Sequence, residues 1–142
     1  MSTLTNRARV EQFVQAFRDR DGAAQLALMH PDIVIHEPEG LPYGGLYRGH
    51  AGWRALNKAI LSAWDQLDLR VDYVLGEADG ERFAVKAHMA GVSRRTGQRF
   101  ECDVLELWTL RDGAIVELRP FYWDSRRLAE INGDIATPAQ VS

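Results

Sequence analysis

The sequence predicts an α+β domain in which N-terminal helices pack on a meandering, mainly antiparallel sheet. Three observations predict it. Helix-spaced apolar residues fill the first half, four consecutive strand patterns joined by tight turns follow, and no βαβ alternation or phosphate or dinucleotide loop occurs. With 142 residues, 46% of them hydrophobic and 26% charged, one domain is expected. A chain of this length buries roughly two thirds of its unfolded surface and needs no covalent staple. The domain is expected over residues 1–133, with 134–142 a disordered polar tail.

Val10, Phe13, Val14 and Phe17 fall at i, i+3, i+4 and i+7, which predicts a helix from Arg7 to Asp19. Asp21-Gly22 breaks it, and Asp21 caps a second helix carrying Leu26 and Met29 that ends at His30-Pro31. Ile33 to His36 is short, β-branched and bounded by prolines, hence a strand. Pro38 to Gly49 is expected to be a loop. A third helix is expected from His50 to Gln66, since Trp53, Leu56, Asn57, Ile60 and Trp64 recur at helical spacing. After Leu67 the period drops to two, with Leu69, Val71, Tyr73 and Leu75 on one side of a half-buried strand. Asp79-Gly80 turns the chain into a strand showing Phe83, Val85, Ala87 and Met89. Strands over Gln98 to Leu110 and Ala114 to Trp123, then a short helix from Ser125 to Ile131 stopped by Asn132-Gly133, complete the order.

The formal net charge of −3 speaks against nucleic acid, whose binding rests on clustered Lys and Arg. The pairs Arg94-Arg95 and Arg126-Arg127 are too short to alter that. No apolar run approaches the roughly 18 residues of a membrane span, so no membrane partner is expected. The lone Cys102 can make no internal disulfide and is expected in the core, which fits a reducing, cytoplasmic setting. No cluster with metal-ligand spacing occurs, so neither a metal nor another cofactor is expected.

Reading Arg111-Asp112-Gly113 as a three-residue hairpin loop sets Leu110 opposite Ala114, Trp108 opposite Val116, Glu106 opposite Leu118, Val104 opposite Pro120 and Cys102 opposite Tyr122. These residues then share a face with Val85, Ala87 and Met89, provided the loop near Arg95-Thr96-Gly97 has an even length. Lys86 and His88 lie outside. Glu106 is the exception on that apolar face, and a carboxyl there has a raised pKa or stands wet at an open end. Leu105, Leu107, Ile115 and Phe121 form an apolar strip on the opposite face, which predicts a homodimer through the sheet.

The segments Asp32 to Gly40, Leu41 to Gly49, Glu106 to Ile115 and Phe121-Tyr122-Trp123-Asp124 resemble SnoaL-like polyketide cyclases and ketosteroid isomerases. Both belong to the nuclear transport factor 2-like superfamily. The resemblance spans the first helix to Asp124 and implies a cone-shaped fold enclosing an apolar pocket. It implies that Glu37 stands where isomerases keep their general base, and Glu106 where they keep a neutral carboxyl that donates to the substrate oxygen. Phe13 occupies the place of their oxyanion-stabilising Tyr, and Tyr122 falls where a pocket aromatic with a hydroxyl is expected. His36 and Glu39 are alternative bases. The expected ligand contacts are Phe13, Tyr43, Trp53, Met89, Trp108 and Asp124, around a small hydrophobic or aromatic molecule. The function expected is cofactor-independent, carboxylate-mediated proton transfer of isomerase, cyclase or lyase type. The alternative is a binding or dimerisation domain without chemistry, and epoxide hydrolysis lacks the inward Arg it would need.

Overall fold

The computed structural model describes residues 4–136. Helix α1 (Asn6–Arg18) begins where the Thr5 hydroxyl accepts from the Ala8 N–H at 3.0 Å, and it buries Val10, Phe13 and Ala16. Helix α2 (Gly22–Leu28) is capped by Asp21, whose carboxylate accepts from Ala24 N–H at 3.1 Å. Met29, expected on that helix, instead opens strand β1 (Met29–Glu37). Pro31 sits in the stretch where the pairing of β1 slips register, between Met29 and Val34. That irregularity lets a strand continue through a residue with no N–H.

Two further differences from the expected elements have physical causes. Residues expected to be loop include a four-residue strand, β2 (Gly45–Arg48), paired antiparallel with β1 from Val34↔Arg48 to Glu37↔Gly45. It is too short, and too close to Gly44 and Gly45, to show a period. Helix α3 (Gly49–Ala63) stops before Trp64, which begins strand β3 (Trp64–Leu75). Gln66 lies in the left-handed region at φ 52, and the register shifts between Asp65 and Asp68. The resulting bulge turns the chain and keeps Trp64 fully buried.

Strands β4 (Arg82–Ser93), β5 (Arg99–Arg111) and β6 (Ala114–Tyr122) complete one open sheet in the order β2-β1-β6-β5-β4-β3. All neighbours are antiparallel except β1 and β6, which run parallel. The meander expected from sequence is therefore joined by one crossover pair. The Ser93 N–H donates to the Gln98 carbonyl at 2.9 Å, which leaves an even four residues, 94–97, in the β4–β5 turn and sets Val85↔Glu106, Ala87↔Val104 and Met89↔Cys102 as expected.

The β5–β6 register differs from the expected one by two residues. The loop is Asp112-Gly113, with φ 51 and 76, and Arg111 pairs with Ala114. Positive φ at both central residues is the two-residue turn that Asp-Gly favours. A bulge then separates Leu110↔Ile115 from Thr109↔Glu117, so Glu106 faces Pro120, Trp108 faces Leu118 and Val104 faces Tyr122. A slip of two preserves the face of every side chain beyond the bulge. It does not preserve Ile115, which was expected in the outer strip and is fully buried.

Phe83, Val85, Ala87 and Met89 point from β4 into a core shared with Phe13, Trp53 and Leu56. Burying each large side chain contributes about 1.5–3 kcal/mol. Helix α4 (Ser125–Ile131) is tied to the sheet by the Ser93 hydroxyl, which donates to Asn132 Oδ1 at 2.7 Å. Asp134, expected in a loose tail, takes Arg95 at 3.0 Å and the Asn132 amide at 2.9 Å. Positions 137–142 of that tail lie outside the described residues. On the outer face, Lys86 bridges Asp72 at 2.7 Å and Asp103 at 2.8 Å, beside exposed Leu105, Leu107 and Phe121. Among the described residues no helix is long and apolar enough to cross a membrane.

Candidate functional site

An inner cavity of about 80 Å³ lies between the helices and the inner sheet face. Its apolar wall comes from α1 (Phe13, Val14, Phe17), α3 (Trp53, Leu56, Ile60), β3 (Leu67, Leu69, Val71) and the inward residues of β1, β4, β5 and β6. The ionisable side chains among its lining residues are Arg18, Glu37, Glu106 and Tyr122. Glu37 is there because β1 alternates Ile33, Ile35 and Glu37 inward, and Glu106 because β5 alternates Val104, Glu106 and Trp108.

Glu37 is 8% exposed, and its Oε2 is buried without a hydrogen-bond partner. Desolvation, with the Glu106 charge second, pushes its pKa up to about 9. Glu106 keeps some accessible surface, but protein surrounds its carboxyl and the cavity is what that surface meets. Desolvation pushes it up to about 7, opposed by the Trp108 indole N–H, which donates to Oε1 at 3.4 Å. Two carboxyls in one apolar space titrate as a pair. The one with a donor ionises first, so the geometry favours charge on Glu106 and a retained proton on Glu37.

A chain of hydrogen bonds reaches the cavity from the other side. The Trp64 indole donates to the Tyr43 hydroxyl at 3.0 Å, and that hydroxyl shares a 2.9 Å hydrogen bond with Tyr122 Oη. With the Trp64 proton filling one Tyr43 lone pair, Tyr43 can donate onward and leave the Tyr122 O–H to point at a ligand. Burial raises both phenol pKa values, so both stay protonated at neutral pH. Trp53 is held at the wall by its N–H donating to Gln25 Oε1 at 3.1 Å, while Gln25 Nε2 donates to the Ala16 carbonyl. Phe13 packs edge-on against Trp108, with centroids 5.2 Å apart.

The structure thus brings Glu37, Glu106, Tyr122, Phe13, Trp53, Met89 and Trp108 to one cavity. Tyr43 stands behind Tyr122, not in the wall. Two expected site residues lie elsewhere. His36 alternates outward on β1, 3.6 Å from Glu117 and 3.3 Å from Arg119. Asp124 is exposed and caps α4, its carboxylate accepting from Arg127 N–H at 2.9 Å. Glu39, the other alternative base, is exposed and outside the lining. Two participants escaped the sequence reading: Trp64, hidden by the early end of α3, and Arg18, one helical turn beyond Val14 on the margin of the apolar stripe. Among the described residues no three His, Cys, Asp or Glu side chains gather to hold a metal ion.

Residues 10–118 match the model of the SnoaL-like domain. The chain belongs to the SnoaL-like family. The fold agrees: a nuclear transport factor 2-like protein of Burkholderia thailandensis is 26% identical, over 96% of this chain and 100% of that one, with a TM-score of 0.81. TerC, crystallised with polyporic acid, is 27% identical over 90% of this chain and 98% of its own, with a TM-score of 0.79. A protein of Jannaschia described as a SnoaL-like polyketide cyclase shares the fold at 20% identity, covering 97% of this chain and 98% of that one, with a TM-score of 0.72. No curated protein is significantly similar to this SnoaL-like chain in sequence.

Proposed function

We propose that this SnoaL-like protein is a cofactor-independent enzyme that moves a proton at carbon next to a carbonyl in a small cyclic or aromatic molecule. One observation carries the proposal: two carboxyls with raised pKa values share a single apolar cavity, and one of them holds a buried oxygen with no partner. The Glu106 carboxylate takes the proton, the C–H electron pair forms the enolate double bond, and charge moves to the carbonyl oxygen. Neutral Glu37 and the Tyr122 hydroxyl donate to that oxygen. These roles reverse those implied by the isomerase resemblance, because Glu106 is the carboxyl that receives a donor. Return of the proton to another carbon isomerises the substrate, departure of a β-substituent gives elimination, and attack on a second carbonyl closes a ring. The cocrystal of TerC with polyporic acid, at 27% identity, supports an aromatic, oxygenated ligand.

The test is deuterium uptake from D2O into 2-tetralone, followed by NMR, with wild type and Glu106→Gln. Wild type is expected to accelerate exchange above buffer, and the variant to lose about 10²–10⁴-fold of that rate while still binding the ketone. Equal exchange by both proteins, or binding by wild type with no exchange, rejects the proposal in favour of a ligand-binding domain.

A further inference from the structure

Part of the inner cavity's wall is shared with a second space. Phe17, Arg18, Ile60, Leu67 and Leu69 line it and also line a wider outer hollow of about 590 Å³, bounded by the end of α1, the start of α2, α3 and β3. These five residues border both spaces, where a passage between the two would run. Four of them are apolar and the fifth is an arginine.

Charge is distributed unevenly along this route. The interior holds Glu37 and Glu106, both of which resist ionisation. The outer hollow is lined by Arg18, Arg20 and Arg70 against the single acid Asp68. Arg70 is engaged by Asp72 at 2.9 Å. Arg18 and Arg20 make no side-chain hydrogen bond or ion pair with the described residues, and of the two only Arg18 also lines the inner cavity. A guanidinium at the rim of an apolar hole, with its donors uncommitted, suits a carboxylate or another oxyanion that can take two parallel hydrogen bonds. At the last residue of α1 it also stands at the helix end that favours cations, which helps to hold it there.

We propose that Arg18 is the specificity residue of this site and that its ligand is amphiphilic, with an apolar ring entering the inner cavity and an anionic group held at the mouth on the Arg18 guanidinium. This rests on the reading of the inner cavity as the substrate site and narrows the substrate class to ring ketones or phenols that carry an acid. The anion stays at the mouth because the cation that lines the inner cavity, Arg18, stands at the border with the outer hollow, whereas Glu37 and Glu106 are the ionisable acids within. The inner space, about 80 Å³, admits the leading edge of a ring and excludes a hydrated charge.

A matched pair of fluorescent probes tests it: 1-anilinonaphthalene-8-sulfonate and its uncharged analogue N-phenyl-1-naphthylamine, titrated into wild type, Arg18→Gln, Arg18→Lys and Leu69→Trp. The expected result is a roughly two- to fivefold weaker Kd for the sulfonate alone in Arg18→Gln, the range of an exposed charge pair, with the neutral probe unchanged and partial recovery in Arg18→Lys. Added salt should reproduce the effect in wild type and not in Arg18→Gln. Leu69→Trp, which narrows the passage, should weaken both probes. Equal losses for the two probes in Arg18→Gln, no loss for the sulfonate, or sulfonate binding that ignores Leu69→Trp overturns the proposal. Neither probe is turned over, so this outcome is independent of the tetralone exchange that decides the proton-transfer reading.

Discussion

Glu37→Gln should change the way stability depends on pH, and the size of the change follows from where the carboxyl sits. An unfolded Glu titrates near 4.5, whereas burial and the neighbouring Glu106 push the folded group up to about 9. Between those values the folded protein holds a proton that the unfolded chain has released, so unfolding releases protons and stability falls as pH rises. Each pH unit in that window is worth at most about 1.4 kcal/mol. From pH 5 to pH 7 Glu37 alone therefore removes up to about 2.7 kcal/mol, and local relaxation plus water entry reduce this to the order of 1–2 kcal/mol. At roughly 3 °C per kcal/mol for a chain of this size, wild type should lose about 3–6 °C of Tm over that interval from this residue. The Gln variant lacks this loss but places amide hydrogens where no acceptor waits, which costs about 1–3 kcal/mol at every pH. The two Tm curves should then cross: wild type more stable near pH 5, the variant at least equal above pH 8. Thermal melts monitored by circular dichroism from pH 4.5 to 9 measure this. Parallel curves for the two proteins, or a wild-type Tm that rises with pH, would refute the assignment of a buried proton to Glu37.

Two further outcomes follow from the same structure. Tyr122→Phe should lower the 2-tetralone exchange rate about 10–100-fold with little loss of ketone binding, because it removes one donor to the enolate oxygen and leaves the ring; a rate equal to wild type would remove Tyr122 from the chemistry. Leu107→Glu places a charge on the outer sheet face, where Leu107 is 46% exposed beside Leu105 and Phe121; in sedimentation velocity wild type should run as a dimer and the variant as a monomer, and a monomeric wild type would dismiss the sheet-mediated homodimer.

Where side-chain alternation is regular, the sequence carried its own geometry. In β4, Phe83, Val85, Ala87 and Met89 repeat with period two, and the even β4–β5 loop passes that register to Glu106 without ambiguity. The same logic placed Glu106 and Tyr122 on the cavity side although the β5–β6 pairing is two residues away from the expected one, since a two-residue slip leaves facing unchanged. Illegible features sit at irregularities. The bulge after Ile115 turned an outer residue into core, and the kink at Gln66 moved Trp64 from a helix face to the root of the Tyr43–Tyr122 hydrogen-bond chain. His36 shows the converse. Its adjacency to Glu37 in sequence is what separates the two in space, because neighbouring residues of a strand face opposite sides.

The contrast between Glu37 and Glu130, another shielded acid, argues that Glu37 is kept for something other than folding. The side chain of Glu130 is 9% exposed, and Arg126 and Arg127 both reach it at 3.2 Å. An acid shielded for structural reasons has this arrangement, because its charge is matched where it lies. Glu37 has no such match. Among the described residues its Oε2 is the buried side-chain polar atom without a partner, and the neighbour that acts on it most strongly is another carboxyl. Replacing Glu37 by Leu would remove an unpaired polar group from an apolar wall and, on packing grounds alone, would be neutral or stabilising. A group that weakens the folded state and faces a cavity completes its hydrogen bonding when a polar atom of a ligand arrives, and in the proposed reaction a carbonyl oxygen that gains charge is the acceptor that a neutral carboxyl serves best.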